Sequence, residues 1–330
     1  MINTMFRLTF LGTSSGMPTK SRNVSGLAVE CLTRGLSKAA PWILVDCGEG
    51  TQQQLLKSAL KPSDLMAICI THTHGDHCYG LAGLLSSLGL QGRKQPLTLI
   101  APRAIHKLLD VYQQVSDFYL SYELKFIAIE DILATGYQMM LGSFCLAIDI
   151  SVLSHRCASY AFGFELSGER HRLDVARLQT LGIPVQEWRK SAKLDPSLMI
   201  KEVLPKVRVV VAGDNDTPSL LKQTALQAVA LVHEATYTQA IKDRVLAKMG
   251  TAFDPKHSSA KEVAEFAEAI NLPVLILTHF SARFNTFEDI NNPKSNMAHI
   301  RHEVSAYYHG ECVLAEDFMQ IVVDEAGVVY

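Results

Sequence analysis

No stretch of this 330-residue chain stays uncharged and apolar for the roughly 18 to 20 residues that a membrane span needs. Its first residues, Met1 to Gly12, lack the basic start and cleavage site of a secretory signal. Both absences point to a soluble cytoplasmic protein with no membrane partner. No Cys-x-x-Cys pair occurs either. The seven cysteines (Cys31, Cys47, Cys69, Cys78, Cys145, Cys157 and Cys312) are odd in number and sit mostly in apolar segments, which favours buried reduced thiols over a disulfide framework. Charge is scarce as well: 19% of residues are charged and the net charge is −2, so there is no overall attraction for nucleic acid. With 48% hydrophobic residues, disorder and fibre are excluded, and the length suits one large core or two modest ones.

The charge is unevenly spread. Between Ser151 and Val210 there are ten Lys or Arg against six Asp or Glu, with Arg170, Arg172, Arg177, Arg189, Lys190 and Lys193 in the middle. A solvated face explains such an excess as readily as a polyanionic partner does.

Along the chain, Phe6 to Leu11, Gly26 to Cys31 and Trp42 to Val45 have the look of strands. Thr51 to Leu56 reads as a helix start with a threonine cap, Ile68 to Thr71 as a buried strand, Gly80 to Leu90 as a buried helix, and Leu97 to Ile100 as another strand. The second half repeats one pattern four times. Phe144 to Leu153 precedes His155, Val207 to Ala212 precedes Asp214, Ala228 to Val232 precedes His233, and Val274 to Thr278 precedes His279. Ligands delivered at strand ends suit a layered α/β protein. From about Ser167 to Lys206 the core signal weakens, as expected of an excursion from the main body.

The densest chemistry is Thr71-His72-Thr73-His74-Gly75-Asp76-His77, directly after the apolar run Leu65 to Ile70. Neutral imidazole nitrogens and carboxylate oxygens are ligands for zinc and similar ions. Four of them this close in sequence cannot all reach one ion comfortably, so two metals sharing the loop is the natural reading. A plain turn needs one Gly-Asp, not three flanking histidines.

With His155, Asp214 and His279 downstream, this motif resembles the metallo-β-lactamase fold, an α/β, four-layered αβ/βα sandwich with a dinuclear metal site between its sheets. Further stretches narrow the resemblance: Phe10 to Asn23 (FLGTSSGMPTKSRN), Asp46 to Gln52 (DCGEGTQ), His233 to Tyr237 (HEATY), His257-Ser258-Ser259, and Leu277 to Phe284 (LTHFSARF). Together they resemble the ribonuclease Z family, endonucleases that trim the 3′ trailer from precursor tRNA. The similarity runs in order from Phe6 to the Ala315-Glu316-Asp317-Phe318 region, which implies a single domain over residues 1–330 with residues 167–206 as a projecting arm.

The resemblance implies one divalent ion on His72, His74 and His155, a second on Asp76, His77 and His279, and Asp214 bridging them. Zinc is the expected ion, with manganese as the alternative. Such a pair would neutralise phosphate oxygens and lower the pKa of a bridging water, so that a metal-bridging hydroxide attacks the bond 3′ of the discriminator nucleotide. Asp76 is expected to take the water's proton and His257 to protonate the leaving oxygen, with Glu234 orienting the His257 ring. Ser258, Ser259 and Ser281 are expected at phosphate, and Trp188, Arg189 and Lys190 as an RNA-facing part of the arm. Asp46 is a turn former or a carboxylate that orients His72 or His74. His233 is either a supporting residue or core; His106, His171, His299 and His302 fit exposed positions. The family also implies a homodimer, the arm of one subunit holding the tRNA processed by the other.

Some stretches depart from the family. After Asp214 the chain has Asn215-Asp216-Thr217-Pro218 where Thr-Arg-Pro is usual, which removes a positive charge and adds a negative one. Gly182-Ile183-Pro184 replaces the arm's Gly-Pro. Two other readings therefore stand beside the first: a phosphodiesterase of the same fold for small or single-stranded substrates, and a relative that binds RNA without turnover.

Overall fold

The structure, a computed structural model, describes residues 4–33, 40–116, 119–249 and 254–329. Two eight-stranded sheets stack face to face. The first runs in the order Gly327–Val329, Gln320–Asp324, Met5–Gly12, Gly26–Leu32, Trp42–Val45, Leu65–Cys69, Leu97–Ala101, Leu124–Ala128. The second runs Glu311–Leu314, Val274–Thr278, Ala230–Glu234, Val207–Ala212, Ser159–Leu173, Phe144–Leu153, Tyr137–Leu141, with Met199–Val203 pairing off the side of Ser159–Leu173.

Alternation within the strands makes the layers. Phe6, Leu8 and Phe10 point into the sandwich and meet Phe162, Phe164, Val209 and Val211 of the other sheet, forming the central core. Between Phe6 and Phe10, Arg7 and Thr9 turn to Glu30 on the other face, but in strands such as Trp42–Val45 and Leu65–Cys69 the residues of that face are apolar too, because helices cover them. Leu44, Ile68 and Leu99 face Leu81–Leu90, and Val210, Leu231, Leu275 and Leu277 face Ala260–Ala269 and Met297–Ser305. The expected four-layered αβ/βα sandwich thus follows from strands apolar on both faces.

Leu81–Leu90 buries Leu81, Leu84, Leu85 and Leu88, the i, i+3, i+4, i+7 stripe of a helix laid on a sheet. Each fully buried leucine contributes about 1.5–3 kcal/mol, and Leu85→Ala removes about 2–5 kcal/mol once the cavity is counted. The helix at Thr51–Lys57 starts differently from the sequence expectation. Gly50, at φ 82°, holds the cap position, and Thr51 lies buried inside the first turn with no side-chain cap. All seven cysteines are free thiols, four of them buried. Among the described residues no helix is long and apolar enough to cross a membrane.

Where the strands run parallel, their C-terminal ends lie along one edge of the sandwich. In the first sheet these are Trp42–Val45, Leu65–Cys69 and Leu97–Ala101; in the second, Val207–Ala212, Ala230–Glu234 and Val274–Thr278. Loops leaving such ends converge outside the sheet, where a ligand binds without disturbing the ladders.

Candidate metal centre

Five imidazoles and two carboxylates meet at that edge. The loop after Leu65–Cys69 brings His72, His74, Asp76 and His77; the second sheet brings His155, Asp214 and His279 from three of its strand ends. His72, His74, His155 and Asp214 place their ligand atoms within 4.8 Å of one another, and so do Asp76, His77 and His279. Asp214 stands between the groups. Its Oδ2 is 3.6 Å from His72 Nε2 and from His155 Nε2, and its Oδ1 is 3.4 Å from His77 Nε2 and 3.3 Å from His279 Nε2.

The outward nitrogens are occupied, which turns the inward ones into lone-pair donors. His155 Nδ1 donates to the Lys256 carbonyl at 2.7 Å, His77 Nδ1 lies 2.7 Å from Asp46 Oδ2, His72 Nδ1 3.0 Å from Thr71 Oγ1, and His279 Nδ1 3.1 Å from Thr236 Oγ1. Their Nε2 atoms then face one another across short gaps: 3.2 Å from His77 to His279, and 3.1 Å from His155 to Nδ1 of His74. The Nε2 of His72 is buried with no hydrogen-bond partner among the described residues. Lone pairs aimed together, one of them orphaned in the interior, fit divalent cations in the space between.

Charge within the cluster tells the same story. Burial works against a charged His77, yet Asp214, Asp46 and Asp76 outweigh it and hold its pKa well above the ordinary imidazole value. Burial and the neighbouring His77 push His72 the other way. Asp214, despite burial, is held well below the carboxylate range by His279, His77 and His72; Asp76 is likewise lowered, by His77 and His279 against its burial. Two ionised carboxylates thus draw positive charge into the site.

Three comparisons with known proteins bear on this arrangement. A family model described as "Anti-Pycsar protein Apyc1" matches residues 6–115. A ribonuclease Z of Pseudomonas putida is 43% identical, covering 95% of this chain and 95% of its own length, and one from Enterococcus faecalis is 36% identical over 84% and 88%. The chain belongs to the ribonuclease Z family.

Among solved structures, human tRNase Z, short form, superposes with a TM-score of 0.60 at 26% identity, covering 96% of this chain and 98% of that one. The metallo-β-lactamase fold protein YhfI from Bacillus subtilis has a TM-score of 0.63 at 17% identity, covering 97% and 100%, and carries the fold alone.

Next to the cluster the ribonuclease Z motifs form a second layer of contacts. Glu234, buried at the end of Ala230–Glu234, accepts from His257 Nδ1 at 3.0 Å, from Thr236 Oγ1 at 2.5 Å and from the Asn215 N–H at 2.7 Å. Although burial opposes it, Glu234 and Asp214 raise the His257 pKa to about 9. Asp76 Oδ2 accepts the Gly16 N–H at 2.7 Å, which links the Phe10 to Asn23 motif to the site. Gly48 allows the Asp46 turn to lie against this loop: a Cβ there would sit 2.2 Å from the Asp76 carbonyl oxygen.

Several expectations are corrected here. Asp46, itself at φ 60°, orients His77, not His74, and reaches His72 only through Thr71, whose hydroxyl is 2.8 Å from Asp46 Oδ2. Ser258 and Ser259 are fully buried and their hydroxyls are committed elsewhere. Ser258 donates to the Asn215 carbonyl at 2.5 Å, and Ser259 caps Ala260–Ala269 in a reciprocal box with Glu262. Neither is free for phosphate. Ser281 is buried beside the Arg283 N–H groups. His233 is a buried core residue that bridges Asn215 Nδ2 and the Glu234 carbonyl, outside the metal cluster. The charge added by Asp216 is matched by Lys256, 2.9 Å away.

The basic excursion leaves the sheet as a ribbon, Glu169 to Leu173 pairing with Met199–Val203, and carries the short helices Val175–Thr180 and Trp188–Leu194. Leu178, Ala192 and Leu198 make a small core of its own. Trp188 packs against that core and gives its indole N–H to the Ile183 carbonyl at 2.8 Å, so it anchors the arm instead of offering a stacking face. Arg189, Lys190 and Lys193 are exposed and have no ion pair among the described residues, whereas Arg170 and Lys201 are paired with Glu202 and Glu169. Thr71, Thr236, Lys256 and Gly16 escaped sequence reasoning, because a hydroxyl or a backbone group next to a ligand carries no motif of its own.

Proposed function

We propose that the protein is a metal-dependent endoribonuclease that hydrolyses the phosphodiester 3′ of the discriminator nucleotide in precursor tRNA and releases the 3′ trailer. The observation that carries this is the placement of Asp214 between two complete sets of lone-pair donors in a ribonuclease Z chain. His72, His74, His155 and Asp214 would hold one divalent ion; Asp76, His77, His279 and Asp214 the other. Zinc suits imidazole and carboxylate donors, and manganese is the alternative. Bound there, such a pair supplies charge to neutralise the phosphate and to acidify a water.

The chain's own groups do the proton work. Asp76 stays ionised at the mouth of the cluster and accepts the proton of the attacking water. His257, fixed by Glu234 through Nδ1 and, despite its burial, raised above the ordinary imidazole value by that carboxylate, gives a proton to the oxygen that leaves phosphorus. Glu234 also carries the Thr236 hydroxyl against His279, so one carboxylate sets both the acid and a ligand. Arg189, Lys190 and Lys193 on the arm, residues 167–206, meet the phosphates of the tRNA body, in a homodimer in the cytoplasm where the arm of one subunit serves the site of the other.

The experiment is to incubate the metal-loaded protein with a 3′-extended precursor tRNA, with Asp76→Ala beside it, and map the new 3′ end. One cut after the discriminator base, absent in the variant, is expected. Hydrolysis of a small phosphodiester without any tRNA cut would overturn the substrate, and sedimentation as a monomer at micromolar concentration would overturn the dimer.

A further inference from the structure

Lys256 adopts φ 60°, a left-handed conformation that costs a side-chain-bearing residue energy and persists only where its surroundings enforce it. Three contacts do so. Its N–H donates to Asp254 Oδ1 at 2.8 Å, its carbonyl accepts His155 Nδ1–H at 2.7 Å, and its ammonium lies 2.9 Å from Asp216 Oδ2. Asp216 in turn gives its own N–H to the carbonyl of Ser154 at 2.9 Å, and its Oδ1 accepts the Thr217 hydroxyl at 2.8 Å. The contacts therefore close a ring: Ser154 and His155 on one strand end, Lys256 on the loop before His257, and Asp216 two residues past Asp214.

We propose that the Asp216–Lys256 ion pair is a positioning device that sets His155 against Asp214. The carbonyl of Lys256 decides which nitrogen of His155 carries the proton, and so which faces His74 and Asp214. The ion pair decides where that carbonyl stands relative to the Asp214 loop. Cutting the pair frees Lys256 to leave its left-handed conformation, and the ring of His155 loses its fixed acceptor. Lys256 is 40% exposed and Asp216, though only 14% exposed, lies outside the hydrophobic clusters, so removing the pair leaves the core untouched. This inference rests on the reading that the cluster holds two ions.

The test is zinc binding by competition with a chromophoric chelator, on the wild type, Asp216→Asn, Lys256→Met, Lys256→Gly and the charge swap Asp216→Lys/Lys256→Asp. The imidazole N–H resonance of His155 in the metal-free, 15N-labelled protein is followed in parallel. Each single variant is expected to keep its melting temperature and bind two ions, one of them about fivefold more weakly, the upper range for a partly exposed ion pair. The swap recovers part of the loss, and the His155 resonance broadens in the singles. Lys256→Met and Asp216→Asn delete the ion pair without adding backbone freedom, so equal weakening in these two assigns the effect to the pair, and any further weakening in Lys256→Gly measures the freed backbone. Single variants that match the wild type in both affinity and resonance overturn the proposal. A wild type that takes up no zinc overturns the metal reading instead.

Discussion

The hydroxyls of Thr71 and Thr236 occupy matching places in the two halves of the molecule. Each donates to a buried carboxylate, Asp46 at 2.8 Å and Glu234 at 2.5 Å, and each faces the Nδ1 of a histidine, His72 at 3.0 Å and His279 at 3.1 Å. Each carboxylate also holds a second imidazole directly: Asp46 holds His77 and Glu234 holds His257. Valine has nearly the volume of threonine but no hydroxyl. Thr71→Val and Thr236→Val are therefore expected to keep the fold and lower metal affinity about tenfold or more, as outer partners of ligating histidines do. Chelator competition reads this; unchanged affinity would make the hydroxyls mere packing.

The raised pKa of His257 sets a pH signature. In the metal-free protein the ring should titrate near 9, and Glu234→Gln should bring it down, as seen by NMR of its ring protons. Because the folded value lies above the unfolded one, the stabilisation from this ion pair is complete below about pH 6.5 and disappears as pH rises through about 9. His257→Ala should lower turnover by roughly 10²- to 10⁴-fold while both metals stay bound. Loss of metal with the ring would reassign His257 as a ligand.

In the arm, position and chemistry separate. Deleting residues 168–201 should abolish precursor tRNA cleavage and spare hydrolysis of a small chromogenic diester, since no cluster residue lies in that span. Arg189→Ala with Lys190→Ala should raise KM for tRNA and flatten its salt dependence, leaving kcat near the wild type. Trp188→Ala acts otherwise, by emptying the small core around Leu178, Ala192 and Leu198, and should show as faster amide exchange throughout the arm.

At Gly48 no side chain fits, with the Asp76 carbonyl oxygen 2.2 Å from where Cβ would be. Gly48→Ala should cost about 1–3 kcal/mol of stability, as overpacking does, and shift Asp76 enough to weaken metal binding. A variant with wild-type melting temperature and metal content would show that the turn gives way freely.

Much of this was legible in the residues themselves. His72, His74, Asp76, His77, His155, Asp214 and His279 all follow the ends of apolar strands, and a strand end fixes where the next residues go. The layered α/β order could be read from apolar strands that end in ligands, while the four-layered sandwich was implied by the resemblance to the metallo-β-lactamase fold and not by the strands themselves. Supporting contacts were harder. Asp46 was visible as a carboxylate after a strand, but which histidine it meets depends on how two loops cross, and that is set by Gly48. Ser258, Ser259 and Trp188 looked like surface chemistry because hydroxyls and indoles serve binding and packing equally; only the partners already held by each decide between them.

Neither sheet owns the metal centre: one contributes a single loop of four ligands, the other three separate strand ends. A cation seated there works as a clasp across the seam of the sandwich, and its binding energy becomes cohesion between the halves. At a hundred times its dissociation constant, a bound ion would add about 2.7 kcal/mol to the folded state. Chelation should then loosen the joint between the sheets before it loosens either sheet, and the endurance of the protein in a cell would follow its supply of metal.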